Sequence, residues 1–130
     1  MPDTSEILRK YRTIAVVGLS NNPSRPSYGV SSYMKSQGYK IIPVNPGHAE
    51  ILGEKSYRTL EEIPEPVEIV NVFRRSELIP PIIESAIAIG AKVVWLQEGI
   101  THPEGAAKAE SAGLEVVMDT CILKEHRWLR

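Results

Sequence analysis

Cysteine is almost missing from this chain: of 130 residues, only Cys121 carries a thiol. That excludes an internal disulfide framework and any zinc site built on several cysteines. An excess of one charge sign is missing too, with 15 Lys and Arg against 16 Asp and Glu and a net charge of −1. No basic field exists to gather nucleic acid, although a local cluster can still hold one phosphate. No apolar run approaches a membrane span, so no membrane partner is expected. Phenylalanine occurs once, as Phe73. The opening Met1-Pro2-Asp3-Thr4-Ser5-Glu6 has neither the basic nor the apolar stretch of a secretory signal, and a cytoplasmic protein is expected.

What is present is apolar content. Hydrophobic residues make up 42% of the chain, enough at this length for one globular domain with its own core. Five short runs rich in β-branched residues stand out: Thr13–Val17, Tyr39–Val44, Val67–Val72, Lys92–Leu96 and Leu114–Met118. Most are nearly continuous rather than alternating, the pattern of strands covered on both faces in a parallel sheet.

The segments between these runs carry helix signals. Ser27 is placed to cap a helix that turns Val30, Tyr33 and Met34 to one face and ends near Gln37-Gly38. Pro80 and Pro81 suit a first helical turn, Ile82, Ile83, Ala86 and Ile87 follow as its stripe, and Gly90 supplies a left-handed stop. Thr101-His102-Pro103-Glu104 reads as a capping box opening an Ala-rich helix that stops at Gly113. Asp119 or Thr120 is placed to cap a last helix through Trp128, and Ile7, Leu8 and Tyr11 suggest a short helix at the start. From Asn45 to Glu65, the breakers Pro46-Gly47, Gly53 and Pro64-Glu65-Pro66 predict a long loop with at most a short helix at Leu60-Glu61-Glu62. Alternating strands and helices with right-handed crossovers predict a doubly wound α/β sheet.

In an open α/β sheet, ligands sit beyond the carboxyl ends of the strands, where the strand order reverses. The residues after each strand are therefore the candidates. Strand one is followed by Gly18-Leu19-Ser20-Asn21-Asn22-Pro23-Ser24-Arg25-Pro26-Ser27. Gly18 lets backbone approach a ligand, Ser20, Asn21 and Ser27 offer donors, Arg25 offers a fixed charge, and a helix N-terminus lies close by. This is the composition of a phosphate cradle, and also of a strand-to-helix turn that uses Gly, Asn and Pro for their dihedrals. It is not a dinucleotide fingerprint, because positions 20 and 23 hold Ser and Pro instead of glycine. Strand two ends in Asn45-Pro46 where a NAD-binding sheet places an acid for the ribose diol, which argues against NAD. The Walker A pattern is absent as well. Arg74 and Arg75 after strand three have the fork that grips phosphate, although surface arginines are more often simply solvated. Phe73 suits stacking on a base or a place at the sheet end. Gln97 and Gly99 can approach a ligand chain through amide and backbone groups, while Glu98 reads as solvated.

Catalytic groupings are hard to assemble. His48, His102 and His126 lie apart, with no pair at metal-site spacing, and His102 reads as part of a helix cap. Cys121 and His126 are five residues apart, so on one helix they would not face each other as a nucleophilic pair. Asp119 reads as a cap rather than a general base. Cys121, in the first turn of the last helix, is a candidate reactive thiol, against the plainer reading of a buried inert one.

Several stretches in order resemble the small CoA-binding protein family: Val16-Val17-Gly18-Leu19-Ser20, Pro43-Val44-Asn45-Pro46 and Val94-Trp95-Leu96-Gln97-Glu98-Gly99-Ile100. Gly113-Leu114, Met118-Asp119-Thr120-Cys121 and Glu125-His126 complete the set. The family comprises single-domain relatives of the CoA-binding domain of the succinyl-CoA synthetase α subunit. The similarity runs from Thr13 almost to the C-terminus. It implies a Rossmann-like domain holding coenzyme A across the strand ends. Carried over, Gly18, Ser20, Arg25 and Ser27 meet the phosphates, Asn45, Pro46, Phe73 and Arg74 frame the nucleotide portion, and Gln97 and Gly99 line the pantetheine arm. The synthetase also uses a phosphorylated histidine in a further domain and a partner subunit, so its ligase activity is not carried over.

The expected fold is a Rossmann-like, doubly wound parallel five-stranded sheet of order 3-2-1-4-5 in a single domain. The expected function is binding of coenzyme A or an acyl-CoA, without catalytic machinery of its own and without a metal. An enzyme or enzyme subunit acting on an acyl-CoA or another nucleotide, with Cys121 or His102 reactive, stays open as an alternative. So do a redox sensor in which Cys121 forms a mixed disulfide with CoA, and a domain whose site has decayed to serve protein contacts. Oligomeric state is open, with a homodimer among the options.

Overall fold

The computed structural model describes residues 2–129. Helix α1 (Thr4–Lys10) leads into strand β1 (Thr13–Val17), helix α2 (Pro26–Ser36) and strand β2 (Lys40–Val44). A small antiparallel hairpin, β3 (Glu50–Ile51) with β4 (Glu54–Lys55), and a 3-10 turn at Leu60–Glu62 precede β5 (Ile69–Val72). Then follow α3 (Ile79–Ala88), β6 (Val93–Leu96), α4 (Pro103–Ser111), β7 (Glu115–Val117) and α5 (Ile122–Arg127). All five apolar runs contain a strand, and the long loop holds its short helix at Leu60 together with a hairpin that the sequence did not announce.

Five strands pair in parallel in the order β2-β1-β5-β6-β7. Successive residues point to opposite faces, and both faces are covered, which is why the strands read as continuous hydrophobes. Ala15, Val70 and Val94 pack with Ile79, Ile83 and Ala109 of α3 and α4. On the other face Ile14, Ile69, Val93 and Trp95 pack with Leu8, Met34 and Ile122 of α1, α2 and α5. Trp95 is wholly buried and keeps its indole N–H satisfied by donating to the Thr120 carbonyl at 2.8 Å. The doubly wound α/β class is as expected. Among the described residues, no helix is long and apolar enough to cross a membrane.

One strand lies elsewhere than the order 3-2-1-4-5 requires. Numbered among themselves, the parallel strands run 2-1-3-4-5, because β5 lies beside β1 and not outside β2. Right-handed crossovers supply the reason. The chain steps from β1 to β2 with α2 on one face, and steps the opposite way through α3 and α4 on the other face. The β2–β5 connection has no α-helix, but its Leu60 and Val67 bury on the α3 and α4 face. A right-handed path on that face returns across β1. Tyr57 meanwhile takes the outer edge of β2, accepting from the Asn45 N–H at 2.9 Å and donating to the Pro43 carbonyl at 3.0 Å.

Three helix starts are shifted from their expected caps. Pro26 occupies the first turn of α2, so the N-cap is Arg25, and Ser27 lies inside the helix. Pro103 does the same for α4, whose N-cap is His102 and not Thr101; the His102 Nδ1 accepts from the Gly105 N–H at 2.9 Å. Helix α5 has Cys121 at its N-cap position, with no side-chain bond to the first turn, and ends at Arg127; Asp119 and Thr120 are engaged elsewhere.

Candidate functional site

The chain steps outward from β1 to β2, and outward the other way from β5 to β6 and β7, so the order reverses between β1 and β5. A crevice is expected there. Gly18 follows β1 at φ +86°, and a Cβ on it would lie 2.7 Å from the Phe73 carbonyl oxygen and 2.8 Å from Arg74 Cδ. Backbone hydrogen bonds hold these ends in place: Gly18 N–H donates to the Val44 carbonyl at 3.1 Å, and Phe73 N–H to the Val17 carbonyl at 2.9 Å.

A polar compartment of about 360 Å³ opens over this point. Gly18, Ser20, Arg25 and Ser27 line it, together with Asn45, Phe73 and Arg74. The loop that builds it is self-bonded. Ser27 Oγ accepts from the Ser20 N–H at 2.9 Å, Ser20 Oγ from the Asn22 N–H at 3.0 Å, and Asn22 Oδ1 from the Ser24 N–H at 3.0 Å. Asn45 is bonded in the same way, donating to the Leu19 carbonyl at 3.0 Å and accepting from the Gly47 N–H at 2.8 Å. These bonds set the loop, while the Ser20 and Ser27 hydroxyls, which accept in them, keep their own O–H to donate, and the Asn45 amide keeps a second N–H. The arginines are different. Among the described residues, Arg25, Arg74 and Arg75 are exposed and their guanidiniums have neither an ion pair nor a hydrogen bond to protein.

Phe73, Arg74 and Pro26 also line a larger cavity of about 690 Å³ that extends toward β6 and α5. Its wall is mixed: Val30 and Ile100 are apolar, Gln97 and Gly99 are polar, and the half-buried Cys121 lies among them. Gln97, 4% exposed, donates through Nε2 to Oδ1 of Asn71, 1% exposed, at 2.8 Å. The pair fixes the amide while leaving its oxygen without a protein donor among the described residues. Gly99 N–H donates to Asp119 Oδ1 at 2.6 Å, and the Asp119 N–H donates to the Ile100 carbonyl at 3.1 Å. Asp119 thus clamps the loop after β6 instead of capping a helix. Glu98 is not merely solvated but pairs with Lys124 at 2.9 Å, which raises the lysine pKa.

Pro46 lies apart from both compartments, in a slot of about 300 Å³ that Gly18, Asn45 and Arg74 connect to the polar one. The structure thus brings all the candidate binding residues and Cys121 to one passage. It does not bring the histidine candidates to a nucleophile. His102 lines a separate hollow between α3 and α4, with Glu84 and Lys108. His126 lies 2.8 Å from the Tyr33 hydroxyl at the α2–α5 contact, where burial, and then the Arg12 charge, push its pKa down. Among the described residues no three His, Cys, Asp or Glu side chains are placed to hold a metal ion.

Sequence reasoning passed over Asn71, and assigned no role to Val30, Ile100 or Ser76 in the cavity wall. Asn71 had a readable signal: one amide inside the buried run Ile69-Val70-Asn71-Val72 needs a partner. The wall residues had none, since their neighbours are set by tertiary packing.

Sheet topology and a cationic passage over the strand ends define a Rossmann-like α/β domain. The chain belongs to the CoA binding domain family, whose family model matches residues 12–127. It is 45% identical over 124 residues to the uncharacterized protein YneT of Bacillus subtilis, covering 95% of this chain and 92% of that one. It is 28% identical over 122 residues to the α subunit of ADP-forming acetate–CoA ligase II from Pyrococcus furiosus, covering 85% of this chain and 27% of that subunit. A solved structure of a hypothetical protein from Pyrococcus horikoshii superposes with a TM-score of 0.95 at 41% identity, covering 98% of this chain and 89% of that chain.

Proposed function

We propose that the passage binds coenzyme A or an acyl-CoA. The observation that carries this is the pair of unpartnered guanidiniums, Arg25 and Arg74, on the polar compartment that Gly18 lines at the reversal of strand order, with Arg75 on the wall of the larger cavity beside it. A phosphate chain needs fixed positive charge and hydroxyl donors, and this compartment supplies both through Arg25, Arg74, Ser20 and Ser27. Membership of the CoA binding domain family supports the choice of ligand.

In this reading Gly18, Ser20, Arg25 and Ser27 hold the pyrophosphate, with Arg25 and the two serine hydroxyls as donors. Asn45, Pro46, Phe73 and Arg74 frame the nucleotide portion. The pantetheine arm runs into the larger cavity, where its amides meet Gln97 and Gly99 and its carbon chain meets Val30 and Ile100. The aligned region spans 27% of the acetate–CoA ligase subunit, and ligation is no part of the proposal.

The place of Cys121 in the larger cavity favours a second reading, a thiol that exchanges with CoA disulfide. Its thiolate would attack one sulfur, form a protein–CoA mixed disulfide and release one reduced CoA. Intact mass after incubation with CoA disulfide decides it: an adduct lost in Cys121→Ala supports the exchange, and an unmodified protein rejects it.

Thermal unfolding tests the binding reading. Ligand at about 100 times Kd stabilises a folded protein by about 2.7 kcal/mol, a readable rise in Tm. CoA is expected to raise Tm and NAD to leave it unchanged. An unshifted Tm in excess CoA would reject the reading.

A further inference from the structure

Coenzyme A carries negative charge in two separate places, the pyrophosphate and a lone phosphate on the ribose 3′ position beside the adenine. The arginines of the passage are separated in the same way. Arg25 lines the polar compartment and not the slot, Arg74 lines both, and Arg58 lines the slot and not the polar compartment.

The slot has the makings of a purine site. Val17, Val44, Leu78 and Ile82 give it apolar walls, between the ends of β1 and β2 and the start of α3. Arg58 is anchored by its backbone. Tyr57 before it is bonded to the edge of β2, and the Arg58 N–H donates to Glu62 Oε1 at 3.0 Å. The Glu62 carboxylate is thereby engaged with backbone. Among the described residues, the exposed Arg58 guanidinium has no ion pair and no hydrogen bond to protein. A guanidinium can stack on an aromatic ring and fork a phosphate, and a purine nucleotide phosphorylated on its ribose presents both.

We propose that the slot takes the adenine and that Arg58 reads the 3′-phosphate of coenzyme A. The assignment rests on the CoA reading of the passage and deepens it. With the pyrophosphate over Gly18 and the pantetheine arm in the cavity toward β6, the adenylate end has the β2 side left to it. There Arg58 is the arginine that the pyrophosphate compartment does not use.

Titration of CoA and 3′-dephospho-CoA into the unmodified protein, Arg58→Ala and Arg25→Ala tests this. The unmodified protein should prefer CoA. Arg58→Ala should lose affinity for CoA by about tenfold, the worth of one hydrogen bond to a charged group, and keep its affinity for dephospho-CoA. Arg25→Ala should weaken both ligands alike. Arg58→Lys, which keeps the charge, should retain part of the preference. Equal loss for both ligands in Arg58→Ala, or no loss for either, overturns the assignment. If the unmodified protein binds neither ligand, the CoA reading fails and the assignment falls with it. That result is distinct from tight binding without preference.

Discussion

Gly18 and Phe73 touch through backbone alone: a Cβ on Gly18 would come within 2.7 Å of the Phe73 carbonyl oxygen. Gly18 also holds φ +86°, so two independent constraints exclude any side chain there. Gly18→Ala is expected to destabilise the fold by about 1–3 kcal/mol from the backbone conformation alone. Chemical denaturation checks this, and an unchanged midpoint would contradict it. CoA affinity should fall as well, since the displaced Phe73 and Arg74 line both compartments.

The Asn71–Gln97 hydrogen bond ties a buried amide in β5 to the wall of the larger cavity. Replacing Asn71 by Leu leaves the Gln97 Nε2 buried without its acceptor. A loss of about 1–3 kcal/mol in unfolding free energy is expected, together with weaker CoA binding. Wild-type stability in Asn71→Leu would show that the pair does not hold the wall.

The arginines of the passage should matter for ligand and not for folding. Arg25→Ala and Arg74→Ala are each expected to weaken CoA by about tenfold or more, as the loss of a hydrogen bond to a charged group does. Their melting temperatures without ligand should match the parent, because neither guanidinium bonds to protein. The loss should shrink as salt rises. A large drop in Tm without ligand would instead assign these arginines to the fold.

His126 makes stability pH-dependent. Tyr33 lies within hydrogen-bonding distance, Tyr39 contacts the ring edge-on, Arg12 adds repulsion to the protonated form, and the neighbouring Glu125 is bonded to Thr4. Burial first, and Arg12 second, lower the folded pKa below its ordinary 6.5. The unfolded chain therefore takes up the proton first as pH falls. This contribution to stability is whole above pH 6.5 and declines between that value and the lower folded pKa. His126→Gln should flatten this part of the stability–pH curve. Identical slopes for the variant and the parent would contradict the assignment.

The strands were legible because burial on both faces leaves no polar period to confuse them, as in Val93–Leu96. The site loops were legible because a parallel sheet brings every strand's carboxyl end to one side. Gly18 and Gln97 could thus be placed together without knowing which strands were neighbours. Strand order was not legible. It depends on which face Leu60 and Val67 cover, and a loop without a helix carries no amphipathic stripe to tell. The caps failed for a local reason: Pro26 and Pro103 take the first helical position, which passes the cap to Arg25 and His102. The slot beside Arg58 was invisible because its walls come from β1, β2 and α3 at once.

The most direct test of the central claim is calorimetric titration of the unmodified protein with CoA, with NAD at the same salt as the control. The account predicts micromolar binding of CoA and no heat from NAD. No heat from CoA, or equal binding of the two, would contradict it.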